Sequence, residues 1–349
     1  MTPSPHSIPA SSAPRSAARP ALSAVVPCFN EEDCLTRLHE RLSAACREAV
    51  GEDYEIVLVN DGSRDRTWEL ISSFAARDPH VVGVDLSRNH GHQLALTAGL
   101  NVCRGDRIFI IDADLQDPPE LLSEMMAAMD RGADVAYGQR RQREGESAFK
   151  KGTALLFYRL LRRLSDVDIP VDTGDFRLMS RKALDVLIDM PEQFRFIRGM
   201  VAWIGMEQVA IPYDRDQRFA GSTKYPLRRM ISFALDAITS FSRRPLRIAS
   251  LLGIAFGIIG LLLVLYTFYS WVAYETVEGW ASLMTVVVVM GSVQLIMIGI
   301  LGEYLGRLYM ESKQRPLFVI REVVGHKATG TLSDPQIQER PAAAHGASQ

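Results

Sequence analysis

Asp112 and Asp114 are acidic residues separated by a single alanine, directly after an apolar run of residues 108–111. Because side chains alternate along a strand, the two carboxylates can point the same way and face one cation. Two carboxylates leave a divalent ion with positions for phosphate oxygens and water, which suits Mg²⁺ or Mn²⁺ better than zinc. The spacing therefore predicts a metal and diphosphate site, although acidic loops without such a role are common.

The elements that must position this pair follow from the hydrophobic pattern. Short apolar runs at 22–27, 54–60, 81–86, 107–112 and 133–138 alternate with helical patterns at about 31–48, 65–76, 92–102 and 119–131. Such alternation is typical of an α/β fold with parallel strands and helices on both faces. In sheets of this kind ligands bind beyond the carboxyl ends of the strands.

Polar residues follow each predicted strand. They are Asn30, Glu31, Asp61, Gly62, the segment 87–90, the segment 112–116 and Arg140. Taken alone, Asp61 and Gly62 are equally well explained as turn chemistry before the next helix. Five such strand ends together favour a binding site at one edge of the sheet.

Two long apolar stretches, at about 248–273 and 280–302, interrupt the soluble pattern. Each exceeds the ~20 residues that an α-helix needs to cross a bilayer, and neither has the polar face of a helix in a soluble core. Basic residues flank the outer ends, whereas the short link between the stretches contains Glu275 and Glu278. The positive-inside rule therefore predicts two membrane spans with both termini in the cytoplasm.

The remaining composition limits the alternatives. The 349 residues carry a formal charge of -2, which argues against nucleic acid as a partner. The four cysteines form no CxxC pair, so we expect buried thiols in a reducing compartment. Residues 226–241 have apolar residues at helical spacing beside Arg228 and Arg229, which predicts either a helix at the membrane surface or an ordinary packing helix.

Five motifs, followed by the two apolar stretches, resemble the polyprenyl-phosphate glycosyltransferases of glycosyltransferase family 2. In chain order they are VVPCFNEE, VNDGSRDRT, LSRNHGHQLAL, DADLQDPPE and GDFRLMSR. The resemblance covers about residues 22–322. It is closest to bactoprenol glucosyltransferases, and dolichol-phosphate mannosyltransferase and the aminoarabinose-lipid transferases are related to these.

The composition and the hydrophobic pattern, together with the resemblance, predict a domain order. A disordered tail (1–20) precedes a GT-A (Rossmann-like) catalytic domain (21–225) and an amphipathic interface helix (226–246). A two-helix transmembrane hairpin follows (247–306), then a cytoplasmic segment that returns to the catalytic domain (307–324) and a second disordered tail (325–349).

The resemblance also implies site residues. Pro27, Phe29, Asn30, Glu31 and Asp61 would hold the nucleoside, with Phe29 standing where many members have tyrosine. The metal and the donor diphosphate would be held by Asp112, Asp114 and Gln116. The acceptor phosphate and the reacting sugar would be surrounded by Arg140, Asp175, Arg218 and Lys224. The alternatives are solvated surface charge for the basic residues and a salt bridge with Arg177 for Asp175.

The implied reaction is inverting transfer of a sugar from a nucleotide-sugar, UDP-glucose by resemblance, to undecaprenyl phosphate. It would need Mg²⁺ or Mn²⁺ and would take place on the cytoplasmic face of a bacterial inner membrane, giving a lipid-linked monosaccharide for the cell envelope. A homo-oligomer, a tetramer in the family, is also implied. The motifs leave open GDP-mannose, a UDP-amino sugar or an aminoarabinose donor.

Other classes of protein are less favoured by the sequence. A processive polysaccharide synthase would carry a Gln-x-x-Arg-Trp signature and more spans, and a nicotinamide-dependent enzyme would have GxGxxG after the first strand. A non-catalytic membrane scaffold would be favoured by loss of the carboxylate pair or of the basic residues, and both are present.

Overall fold

The computed structural model describes residues 19–141, 173–214, 244–273 and 279–325. Arg218, Lys224 and residues 226–243 of the predicted interface helix lie outside these ranges, as do 1–18 and 326–349 of the predicted tails.

Eight strands are present among the described residues. They are β1 (Leu22–Cys28), β2 (Tyr54–Asn60), β3 (Val81–Leu86), β4 (Arg107–Ile110), β5 (Val135–Arg140), β6 (Thr173–Ser180), β7 (Gln208–Tyr213) and β8 (Ile320–Val324). The helices of the same ranges are α1 (Leu35–Val50), α2 (Thr67–Arg77), α3 (His92–Val102), α4 (Leu122–Asp130), α5 (Arg181–Asp189), α6 (Ile197–Ile204), α7 (Arg244–Ala273) and α8 (Trp280–Ser312), with a 3-10 turn at Pro119–Leu121 before α4.

The strands form one sheet in the order β7-β5-β6-β4-β1-β2-β3-β8. β1 pairs in parallel with β2 and β4, and β2 pairs in parallel with β3. The predicted α/β class and the predicted strands and helices are therefore confirmed. The expectation of parallel strands alone was incomplete, because β6 lies antiparallel between β4 and β5, and β8 is antiparallel to β3.

Helices cover both faces of the sheet, so neighbouring residues of one strand enter different cores. Ile56 and Leu58 of β2 pack with α1, α2 and α4, whereas Val57 and Val59 pack with α3, α5 and α6. Because both faces are buried, β1 and β2 are almost continuously apolar rather than alternating. The four cysteines are free and buried, as predicted.

α7 and α8 leave large apolar side chains exposed, among them Leu261, Leu295 and Leu308. By length and composition, one described stretch is able to cross a membrane, Val286–Ser312 within α8, and Ala249–Leu262 within α7 is a shorter apolar stretch. A helix long and apolar enough to cross a membrane is thus confirmed for the stretch predicted at about 280–302, and the span predicted at about 248–273 stays a prediction. After α8 the chain returns to the sheet, where β8 pairs with β3.

Gly99 of α3 packs closely against β1 and β2 of the sheet. A Cβ atom at this position would overlap Val25 Cγ1 and would lie 2.9 Å from Val59 Cγ2. Both valines are fully buried and branched at Cβ, so neither has an empty rotamer into which it can move.

We therefore expect Gly99→Ala to destabilise the protein. Overpacking costs ~1–3 kcal/mol, which outweighs the ~1 kcal/mol that alanine gains over glycine in a helix. Thermal unfolding of the detergent-solubilised protein, followed by tryptophan fluorescence, should show a Tm lower by several degrees. Glu40→Ala on the exposed face of α1 is the control and should leave the Tm unchanged. An unchanged or higher Tm for Gly99→Ala would contradict the packing argument.

Candidate active site

The candidate site lies at the carboxyl ends of β1, β2, β3 and β4. The chain passes from β1 to β2 and β3 on one side and then crosses to β4 on the other side of β1. The reversal between β1 and β4 is a topological switch point, where open α/β sheets bind ligands. Residues after β1 and β4 therefore flank the crevice.

Asp112 follows β4 and faces the acidic centre of this crevice. Its Oδ1 atom is buried and accepts no hydrogen bond from the described residues, while His92 Nε2 lies 3.5 Å away. Burial raises the pKa of Asp112 to about 6 against the effect of His92, and the carboxylates of Asp175, Asp117 and Asp114 add to the rise.

Asp114 is placed by a turn. β4 ends at Ile110, and Leu115 has a left-handed backbone with φ 59°. The N–H of Gln116 donates to Asp114 Oδ1 at 3.2 Å, which closes the turn. Asp114 therefore lies beyond the end of β4, and the turn rather than strand alternation places its carboxylate, contrary to the prediction.

The two aspartates fit a divalent cation that takes its other ligands from elsewhere. No group of three or more His, Cys, Asp or Glu side chains forms a metal cluster in the described part of the chain. A pair of carboxylates with one buried oxygen lacking a hydrogen bond suits an ion that keeps several positions for diphosphate and water. Participation of Gln116 stays a prediction.

The loops after β1 and β2 are tied to one another. Asn30 has a left-handed backbone with φ 56°, its N–H donates to Ser63 Oγ at 3.0 Å, and its Oδ1 accepts from Arg64 N–H at 2.9 Å. Glu31 N–H donates to Thr67 Oγ1 at 2.9 Å. These bonds fix the loops after β1 and β2 against each other as one side of the crevice, the Phe29 wall. Phe29 is 44% exposed there.

Pro27 is buried within β1, two residues before Phe29, and its predicted contact with a nucleoside stays a prediction. An exposed aromatic ring beside a crevice offers a stacking face for a flat ligand.

Asp61 holds the loop that precedes α3. Its carboxylate accepts the N–H groups of His90 at 2.6 Å and Gly91 at 3.0 Å. Burial raises its pKa, although these two bonds oppose the rise. Gly62, at φ 63°, packs against the same loop so closely that a Cβ would lie 2.5 Å from Asn89 N. Asp61 thus has a structural role here, and its predicted contact with a nucleoside stays a prediction.

Asp175 is the centre of a network that the sequence did not predict. The side chain is 2% exposed and accepts from Gln93 Nε2 at 2.7 Å and Arg198 Nε at 3.0 Å, and His92 Nε2 lies 3.2 Å away. Burial alone would raise the pKa of Asp175, but Arg198 and His92 hold it well below its usual range. Burial likewise opposes protonation of His92, but Asp175 and Asp112 raise its pKa to about 9.

Arg177 does not form the ion pair considered for Asp175 from the sequence. Its guanidinium donates to the main-chain carbonyls of Asp175 at 3.3 Å and Gly174 at 3.0 Å. The carboxylate pairs instead with Arg198, at the start of α6. The only sequence signal for Arg198 was its place in a basic segment, FRFIRG, and His92 and Gln93 belong to the LSRNHGHQLAL motif.

Arg140 lies at the end of β5, on the far side of β6. Its Nε donates to the Tyr213 hydroxyl at 3.4 Å, and that hydroxyl bonds to Asp117. Its Nη2 atom lies 3.2 Å from the place where a Cβ on Gly174 would be. The structure therefore brings Asp112, Asp114 and Asp175 together and places Arg140 beside Gly174 and, through Tyr213, beside Asp117. Arg218 and Lys224 fall outside the described residues.

Comparison with known proteins gives two family matches. Residues 23–188 match the family described as glycosyl transferase family 2, and residues 244–308 match the GtrB C-terminal hairpin. The second match covers α7 and most of α8.

Several curated relatives agree with the chain over most of its length. The uncharacterized glycosyltransferase YkcC of Bacillus subtilis (strain 168) is 44% identical over 304 residues, which cover 87% of this chain and 94% of the relative. The prophage bactoprenol glucosyl transferase homolog of Escherichia coli (strain K12) is 37% identical over 308 residues, which cover 86% of this chain and 99% of the relative.

Among solved structures, the mannosyltransferase PcManGT of Pyrobaculum calidifontis, in complex with GDP-Man and Mn²⁺, is similar at a TM-score of 0.41 and 16% identity. The likeness covers 82% of this chain and 88% of that one.

These findings confirm the resemblance drawn from the five motifs and the GT-A type of α/β fold, and they identify the chain as an enzyme. Divalent metal ions are typical of this fold. The agreement extends over nearly the whole length of the curated relatives, and the chain belongs to glycosyltransferase family 2.

Proposed function

We propose that the protein transfers a hexose from a nucleotide-sugar to a polyprenyl phosphate, with UDP-glucose as donor and undecaprenyl phosphate as acceptor. The observation that carries this proposal is the carboxylate pair Asp112 and Asp114, at the switch point of a family 2 fold that ends in an apolar hairpin. Relatives named bactoprenol glucosyl transferase support both the sugar and the class of lipid.

Transfer of a sugar to a phosphate does not require a strong general base. The acceptor phosphate is already an anion near neutral pH, so its oxygen can attack the anomeric carbon while the nucleoside diphosphate leaves with the bonding electrons. One direct displacement inverts the anomeric centre. Two carboxylates placed across the scissile bond, as in a hydrolase, are therefore not required. When bound at Asp112 and Asp114, a divalent cation supplies charge neutralisation for the departing diphosphate.

Arg140 is suited to the acceptor side, because a guanidinium can grip phosphate oxygens with two donors. Asp175 acts as a fixed anion in this proposal. Its carboxylate has contacts with Gln93, His92 and Arg198, and its pKa is well below the usual range, so it holds neighbouring groups in place more readily than it takes up a proton. Phe29 offers a stacking face to the nucleoside base.

The hairpin would hold this site where the lipid phosphate is found. Both spans, the cytoplasmic orientation of the catalytic domain, the bacterial inner membrane and the homo-oligomer are parts of the proposal that rest on the flanking basic residues and on the resemblance. Anchoring in the bilayer would keep the site close to a lipid acceptor whose charged head lies at the membrane surface.

The test is transfer of radiolabel from UDP-glucose, UDP-amino sugars, UDP-aminoarabinose and GDP-mannose to undecaprenyl phosphate, with Mg²⁺ or Mn²⁺ and with a chelator. We expect metal-dependent labelling of lipid from UDP-glucose. Labelling from another donor would correct the sugar and keep the class of reaction. Absence of labelling from every donor would favour the non-catalytic scaffold.

Asp114→Asn should lower the rate of transfer by on the order of 10²–10³-fold. Neutralisation of the leaving diphosphate is worth several kcal/mol, and each 1.36 kcal/mol is a factor of ten. Asparagine keeps the oxygen that accepts from Gln116 N–H, so the turn and the Tm should be retained. Asp53→Asn, at the exposed opposite end of β2, is the control and should behave as wild type. Normal turnover by Asp114→Asn would overturn the metal assignment.

Arg140→Ala should raise the KM for the lipid acceptor about tenfold or more and change the KM for the donor less than twofold. The matched control is Arg141→Ala, since Arg141 is the next residue and is exposed beside Asp214. Steady-state kinetics with each substrate varied in turn would separate the two effects. Equal losses on both substrates, or a loss confined to the donor, would move Arg140 to the nucleotide side.

A further inference from the structure

The segment from Gln193 to Arg198 touches the end of α8 with its first residues and Asp175 with its last. Gln193 N–H donates to Glu311 Oε1 at 2.7 Å, and Gln193 Nε2 donates to the Arg315 carbonyl at 3.0 Å. The guanidinium of Arg307 lies over the Phe194 ring, 4.7 Å from its centroid. Three contacts thus join this segment to the carboxyl-terminal end of α8 and to Arg315 just beyond it.

The middle of the segment is anchored in the catalytic domain. Arg195 is buried, and its guanidinium donates to the carbonyls of Met190 and Leu187 at the end of α5. A buried guanidinium is costly to move, because both of its bonds would have to be broken in a site closed to water. The segment therefore moves with the end of α5 rather than as a free loop.

The far end of the segment reaches the Asp175 network in two ways. Ile197 N–H donates to Gln93 Oε1 at 2.9 Å, and the other end of that amide donates to Asp175. Arg198 donates to Asp175 Oδ1 and to the Thr173 carbonyl, each at 3.0 Å. A shift of the segment would displace both donors from Asp175 together.

We propose that residues 193–198 are a positioning link through which the end of α8 holds the hydrogen-bond donors of the Asp175 carboxylate in place. Gln93 and Arg198 are in position to donate to Asp175 when two contacts with α8 are made. These are the hydrogen bond from Gln193 to Glu311 and the stacking of Arg307 on Phe194. The inference rests on the proposed role of Asp175 in glycosyl transfer. It makes the docked membrane hairpin a part of the active site, and Arg198 is a positioning residue whose effect passes through Asp175.

Glu311→Ala is the first test, since alanine keeps the helix and removes the acceptor of Gln193 N–H. Phe194→Ala is the second, because it removes the contact with Arg307 from an exposed ring. The control is Lys313→Ala, which removes a charge at the same helix end from a side chain lying over Tyr309 of α8 itself.

We expect kcat for lipid glycosylation to fall about 3–10-fold in Glu311→Ala and Phe194→Ala, with the donor KM and the Tm unchanged. Lys313→Ala should match wild type. A rise in donor KM with unchanged kcat, or a wild-type kcat in both variants, would overturn the link. A fall in kcat that Lys313→Ala shares would do the same, because it would report a general effect of the helix end.

Hydrogen exchange of the full chain in detergent gives a readout that does not need activity. Glu311→Ala should speed exchange of the Gln193 amide and also of the Ile197 amide, whose partner is Gln93. Faster exchange confined to Gln193 would mean that the contact is local and would contradict the link. If exchange spreads to Ile197 but no donor labels lipid with the wild-type protein, the proposed function fails while the mechanical connection stands.

Discussion

Burial of the Asp175 carboxylate is the constraint on which the rest of the site depends. An ion removed from water costs several kcal/mol unless opposite charge and hydrogen bonds replace the solvent. Here the replacements come from two helices, Gln93 and His92 at the start of α3 and Arg198 at the start of α6. Both helix ends must therefore converge on β6, and the geometry of the site follows from satisfying one anion.

Residues 90–93 connect the Asp175 network to the half of the crevice that contains Asp61. The N–H groups of His90 and Gly91 are held by Asp61, after β2, and the next two side chains meet Asp175, on β6. Asp61 is in turn followed by the loop that bonds to Asn30. A continuous set of hydrogen bonds thus joins the exposed Phe29 wall to the buried acid, so the two halves of the site are positioned together.

The parts predicted from the sequence were those set by local pattern. Alternating apolar runs predicted five strands, and strand ends predicted where polar residues gather. β6 was not predicted as a strand, because its charged members Asp175 and Arg177 are buried, whereas a strand with alternating charges would ordinarily show them to solvent. The pairs Gln93 with Asp175 and Arg198 with Asp175 join residues 82 and 23 positions apart, so only the topology of the sheet brings them together.

The inserted strand also explains why the site is so acidic. Ile110 pairs with Arg177 in the antiparallel register of β4 and β6, and continuing that register by two residues sets Asp112 opposite Asp175. His92 Nε2 lies within 3.5 Å of both carboxylates, which raise its pKa to about 9 against the effect of burial. Asp114 and Asp117 add further negative charge on one side of the crevice. Repulsion between unit charges 4 Å apart is ~4 kcal/mol near a protein surface. Under the proposed function, a cation at Asp112 and Asp114 would offset the repulsion between these carboxylates and a donor diphosphate, and this is the physical argument for proposing that the pair lies on the leaving-group side.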